Sequence, residues 1–142
     1  MNIERGIRTE MDHQLNQIVE GFLNAKGGLG TQKVVKQSGE ALFSAGDKGH
    51  FMFIVEKGEI GILHEGETLE TVGAGGIVGE MAFFDDEGVR SADAVATCQS
   101  TLFPINRRRF RELVQRNPDF ALEVMKIQAR RLREMNERLG ST

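Results

Sequence analysis

Only one cysteine, Cys98, occurs among the 142 residues. Intramolecular disulfides and zinc sites built from several cysteines are therefore excluded. Cys98 itself is expected to be a small buried hydrophobe rather than a nucleophile. No apolar run reaches membrane-spanning length, and the polar start of the chain holds no signal-peptide core, so no membrane partner is expected and a cytoplasmic location is. Basic residues are not in excess: 18 Lys and Arg stand against 21 Asp and Glu, a net charge of −3 that leaves no overall electrostatic footprint for nucleic acid. Proline is scarce, with two against 17 glycines, which suggests many tight turns between short elements. There is no internal repeat and no low-complexity segment. The length suits one ordinary domain, and 39% hydrophobic with 27% charged residues is a globular balance rather than a disordered one.

The charge is unevenly spread. Residues 1–104 carry 8 basic and 16 acidic side chains, and residues 105–142 carry 10 and 5. The basic part contains Arg107-Arg108-Arg109-Phe110-Arg111. Such a run can mark a nucleic-acid arm. Here it opens an amphipathic segment and brings no DNA-reading fold with it, so a solvated helix face paired with the acidic remainder is expected.

Three zones follow one another. In 9–24, Met11, Leu15, Ile18, Val19 and Phe22 form a helical stripe, which ends at the glycine-rich loop 26–30. From 32 to 105 the period changes. Short apolar runs at 33–35, 41–43, 51–55, 60–63, 69–72, 94–98 and 101–105 are separated by Gly, Asp, Ser and Glu. Many short strands with regular turns read as an antiparallel sandwich or barrel, and no helix-length segment lies between them to build a parallel sheet. From 106 the helical period returns. A helix over 107–116 places Phe110, Leu113 and Val114 on one face. Asn117-Pro118-Asp119 interrupts it, and a last helix of 119–139 is expected to stop at Gly140.

The segment 79–92 carries the chemistry. A glycine before a possible single helical turn, 80–84, offers free backbone N–H groups at the positive end of a helix dipole, which is an anion site. Arg90 can return to the same point after a loop and present a planar fork to two phosphate oxygens. Ser91 adds a hydroxyl. Glu80 would repel a phosphate but accept from a sugar hydroxyl. An anion site beside a hydroxyl acceptor suggests a ribose phosphate.

Gly79-Glu80-Met81-Ala82-Phe83-Phe84 followed by Arg90-Ser91-Ala92 resembles the phosphate-binding cassette of the cyclic nucleotide-binding domains. The early strands around Gly39 to Asp47, the hairpin around Phe51 to Ile60, and the tail around Phe110 to Asp119 and Ala129 to Leu132 are similar to the same family, in its catabolite-activator branch. The resemblance implies a mainly β, α+β fold: an antiparallel, jelly-roll-like β-roll flanked by an N-terminal helix and two C-terminal helices. Residues 1–142 then form one domain, with a helical segment 1–30, a roll 31–105 holding the cassette 79–92, and helices 106–142. By the same resemblance Glu80 takes the ribose 2′-hydroxyl. Arg90 pairs with the cyclic phosphate, helped by Gly79 and the amides of Met81 and Ala82. Ser91 falls at a phosphate- or base-contacting position, and Arg131 at a phosphate-side or lid position. Met135 and Asn136 stand where the branch has hydroxyls that touch the purine amine. Gly76 stands where the family usually has Asp, a change expected to alter a turn.

The implied function is non-catalytic sensing of a cyclic nucleotide, cyclic AMP first and cyclic GMP second, with output through movement of the last helix. The alternative is a roll that no longer binds nucleotide and serves as a structural or protein-interaction module, Glu80 and Arg90 pairing with each other. No nucleophile with a base and an orienting group can be named, so no enzyme is expected, and no cofactor. His13, His50 and His64 lie apart without companions at ligand spacing, and Asp85-Asp86-Glu87 reads as a solvated run, so no metal is expected. Gly73-Ala74-Gly75-Gly76 reads as a turn, because no phosphate-loop Lys or long helix follows it. Met125, Ala129, Leu132, Asn136 and Leu139 step by 4, 3, 4 and 3 along the last helix. That heptad seam, with Asn136 at an a-type position, suggests a homodimer, unless the face packs on the protein's own roll. An effector protein is implied but not named by the sequence. No helix-turn-helix follows Leu139, so DNA binding is not expected.

Overall fold

A computed structural model describes Gln17 and residues 33–140, apart from the side chains of Arg138 and Leu139. The expected first helix, its loop and His13 lie outside the described residues. Within residues 33–140, eight strands and three helices follow in order: β1 (Val34–Lys36), β2 (Ala41–Phe43), β3 (Met52–Lys57), β4 (Glu59–His64), β5 (Glu67–Gly73), β6 (Ile77–Val78), α1 (Glu80–Phe84), β7 (Asp93–Ala96), β8 (Ser100–Ile105), α2 (Arg107–Arg116) and α3 (Asp119–Gly140). Two four-stranded sheets, ordered β1-β8-β3-β6 and β2-β7-β4-β5, are antiparallel throughout, as the β-roll reading requires.

Strands β8, β3 and β6 of the first sheet are buried on both faces, while the edge strand β1 leaves Val35 exposed. Side chains alternate sides along a strand. On β3, Phe53 and Val55 join a core with Val78, Leu102 and, from the second sheet, Ile60, Val72, Ala94 and Ala96. Met52 and Ile54 join Ile77, Phe103 and Ile105 in a second core against the helices. This double burial explains why 52–55 reads as an unbroken apolar run rather than an alternating one. The second sheet keeps one wet side, and β5 is mostly exposed.

The helices seal the second core. Asn106 starts α2 by accepting a hydrogen bond from Arg109 N at 2.8 Å, satisfying a free first-turn donor. Leu113 is buried, with Phe110 and Val114 packed beside it. Phe120, Val124 and Ile127 bring α3 onto the same core at helical spacing. Phe110 stacks edge-on with both Phe84 and Phe120, at 5.5 Å between centroids, so α1, α2 and α3 share one aromatic contact.

Some of these expectations need correction and others hold. Cys98 is exposed, not buried: it lies in the turn between β7 and β8, where its carbonyl accepts from Ser100 Oγ at 2.9 Å. The turn geometry places the residue, and its hydrophobicity does not compete. β6 is an additional strand, too short to leave a period in the sequence. Gly140 is still helical rather than the stop beyond the helix. The α3 seam does not pack on the roll: Met125 and Leu132 are 60% and 59% exposed, and Ala129 and Asn136 also face solvent. Arg107, Arg108 and Arg111 are exposed as expected, but Arg108 pairs with Glu112 on its own helix rather than with the acidic roll. Gly75 and Gly76 close a turn, their amides donating to Val55 O and Gly73 O at 2.6 and 3.0 Å.

Candidate functional site

The site forms where β6 turns into α1. Gly79 adopts φ 82° and ψ 15°, a left-handed conformation that glycine takes without a Cβ clash. A Cβ there would also lie 2.5 Å from Arg90 Nη1 and 3.1 Å from the Phe43 ring. No side chain caps the amides that open α1. Glu80 and Ala82 point inward, while Met81 is 69% exposed.

Arg90 is 6% exposed and held by both backbone and side chain. Its amide donates to Asp47 O at 2.8 Å, and its carbonyl accepts from Gly46 N at 2.9 Å. Beside it, Gly49 N donates to Gly88 O at 2.6 Å, and Lys48 bridges to Val89. The 46–49 loop and the 88–90 segment thus run together as a short ladder. The Arg90 Nη1 and Nη2 atoms donate to Gly79 O and Phe51 O at 2.7 and 2.6 Å. The guanidinium carbon lies 4.1 Å from the centre of the Phe43 ring, a cation–π contact. Its Nε is buried without a hydrogen-bond partner. Burial pushes the Arg90 pKa below its ordinary value, opposed first by the charge of Glu80 and then by that of Asp47.

Glu80, 8% exposed, does not pair with Arg90. Its Oε1 accepts from Arg131 Nη1 at 2.7 Å. Arg131 also donates from Nη2 to Ile77 O, and its Nε lies 4.0 Å from Glu70 Oε2. One arginine on α3 therefore ties that helix to the start of α1 and approaches β5. Gly79, Glu80, Arg90 and Arg131 form one bonded set. Ser91, Met135 and Asn136 face solvent outside it. Phe43, Asp47, Gly49 and Phe51 support Arg90; Phe43, Asp47 and Phe51 lie in segments that resemble the family, but nothing in the sequence assigns them to the site. The glycine at 49 is visible in the sequence only as a turn marker. Among the described residues, no group of three or more His, Cys, Asp or Glu could hold a metal ion, and no helix is long and apolar enough to cross a membrane.

A buried cation and a buried carboxylate are thus gathered at an uncapped helical turn of the β-roll. The chain belongs to the cyclic nucleotide-binding domain family, whose model matches residues 33–117. It is 35% identical over 108 residues to the cyclic AMP receptor protein of Thermus thermophilus, covering 72% of this chain and 50% of that one. It is 28% identical over 109 residues to the cAMP-activated global transcriptional regulator of Salmonella typhimurium, covering 73% and 52%. The chain thus spans about half the length of the curated relatives it matches. The crystal structure of the Thermus thermophilus catabolite activator protein superposes with a TM-score of 0.70 and 32% identity, over 87% of this chain and 58% of that one. A cyclic nucleotide-binding domain from Methylobacillus flagellatus gives 0.66 and 28%, over 79% and 68%.

Proposed function

We propose that this chain is a non-catalytic sensor of a cyclic nucleotide, cyclic AMP in the first place and cyclic GMP in the second. The observation that carries the reading is Arg90: a buried guanidinium with an unpartnered Nε, beside the uncapped amides of α1. A buried cation with a free donor is suited to an anion that arrives without its water. Glu80 then serves the ribose 2′-hydroxyl, and the Met81 and Ala82 amides share the phosphate. Arg131, Met135 and Asn136 approach the nucleotide from α3. Ligand that binds one position of α3 better than another shifts the helix toward that position. The exposed α3 seam pairs with a second copy, and the signal passes to an effector protein or to a further region of the polypeptide.

A second reading keeps the roll as an interaction module without nucleotide. The Glu80–Arg131 pair favours it, because the carboxylate that should receive ribose already has a partner. Calorimetry with cyclic AMP, cyclic GMP and 5′-AMP separates the two. Heat and saturation with a cyclic nucleotide, and little with 5′-AMP, are expected. Absence of heat with all three, together with an unchanged melting temperature, would overturn the sensor reading.

A further inference from the structure

The guanidinium of Arg90 sits in a slot. One wall is the Phe43 ring, 4.1 Å from the guanidinium carbon. The 46–49 loop contributes another wall, and there the limiting residue is Gly49. Gly49 is buried and fixed by its bond to Gly88. Its φ is not in the left-handed region, so its backbone conformation does not require glycine. The space does: a Cβ at Gly49 would lie 2.7 Å from both Cζ and Nε of Arg90, and 2.7 Å from Ala82 Cβ. Separations that short are repulsive, so something must move. The end of an arginine side chain, even one held by two hydrogen bonds, moves more cheaply than a helix packed into a core.

We propose that Gly49 is a positioning residue for Arg90: its missing side chain lets the guanidinium lie against Phe43, with Nε and Cζ in the space a side chain at 49 would fill. This rests on the cyclic-nucleotide reading and adds to it a residue that need not touch ligand. A larger residue at 49 shifts the guanidinium off the ring and away from Gly79 O and Phe51 O. The phosphate partner is then misplaced while its charge is kept.

Three comparisons by calorimetry on the full chain test this. Gly49→Ala should weaken cyclic AMP binding roughly ten- to hundred-fold, the scale of a hydrogen bond to a charged group. Gly49→Ala combined with Ala82→Gly removes the helix clash and leaves the arginine clash, so the loss should persist. In an Arg90→Lys background, whose ammonium has no plane to misplace, Gly49→Ala should cost less than about threefold, the non-additivity expected of residues in contact. Should Gly49→Ala fail to fold, Phe43→Leu probes the opposite wall without adding an atom, and its loss should likewise shrink in the Arg90→Lys background. Full affinity in Gly49→Ala, or equal losses in the Arg90 and Arg90→Lys backgrounds, would mean a merely structural role and overturn the proposal. If Phe43→Leu is the variant measured, full affinity or equal losses overturn it in the same way. A wild type silent toward cyclic AMP and cyclic GMP overturns the sensor reading and this inference together. A binding wild type with unmoved variants overturns this inference alone.

Discussion

An arginine that is only 6% exposed has given up most of its water, and its two carbonyl partners return part of that loss. Removing the partner of a buried anion typically costs about 2–5 kcal/mol, or about thirty- to several-thousand-fold in affinity. Arg90→Ala is therefore expected to weaken cyclic AMP binding by that factor in a calorimetric titration, and unchanged affinity would remove Arg90 from the site. Glu80 makes a separate demand. As the 2′-hydroxyl acceptor it should make 2′-deoxy cyclic AMP bind more weakly by about 1.5–3 kcal/mol, and Glu80→Gln should shrink that gap. Equal affinity of wild type for the ribo and deoxy ligands would leave Glu80 as the anchor of Arg131 alone. At this scale the sequence is readable where the residues lie close along the chain. Gly79, Glu80 and Arg90 fall within one short segment, so a local motif exposes them. The slot around Arg90 is not readable, because Phe43, Gly49 and Phe51 reach it from some forty residues away along the chain, and each alone is an ordinary turn or strand residue. Arg131 is visible only through resemblance, and its bond to Glu80 emerges only in the fold.

At the scale of elements, α3 does two jobs with two faces. Phe120, Val124 and Ile127 fasten it to the roll, while Met125, Ala129, Leu132 and Asn136 face outward. An a-type Asn in a helix pair fixes register at a cost in stability. Asn136→Leu is thus expected to tighten self-association of the ligand-free protein and to reduce cyclic AMP affinity, since the side chain is also assigned to the purine edge. Sedimentation with and without cyclic AMP, alongside titration, tests both parts. A wild-type monomer in every condition removes the seam, and normal ligand affinity in the variant removes the base contact. Helix limits are legible here because Asn106, Asn117 and Pro118 are strong local signals, and α2 and α3 begin where those residues place them. Strand limits drift by up to two residues. Backbone pairing carries β3 through the polar Glu56 and Lys57 and starts β5 at the exposed Glu67, beyond the apolar runs, and β6 has two residues and no period.

For the molecule as a whole, the two cores share the first sheet, and the site lies at the end of that sheet where helices and roll meet. The sequence discloses this architecture as a change of period, from helical to short strands and back. It does not disclose which face of α3 the roll takes, because both faces carry large apolar side chains. One further property follows from the ladder between 46–49 and 88–90. Arg90 is stitched to the roll through its own amide and carbonyl, so its place does not depend on the exposed Asp85-Asp86-Glu87 turn that connects it to α1. The chain can therefore be opened there without dismantling the arginine's mooring, and insertions at that point lengthen only a surface arch. A protein cleaved between Asp86 and Glu87 should hold together as two associated fragments and keep cyclic AMP affinity within about threefold of the intact chain, well inside the spread set by one hydrogen bond. Fragments that separate, or that associate without binding, would show that the arch transmits order to the arginine after all. On the ladder's geometry, α1 and Arg90 are joined by folding rather than by the polypeptide that happens to run between them.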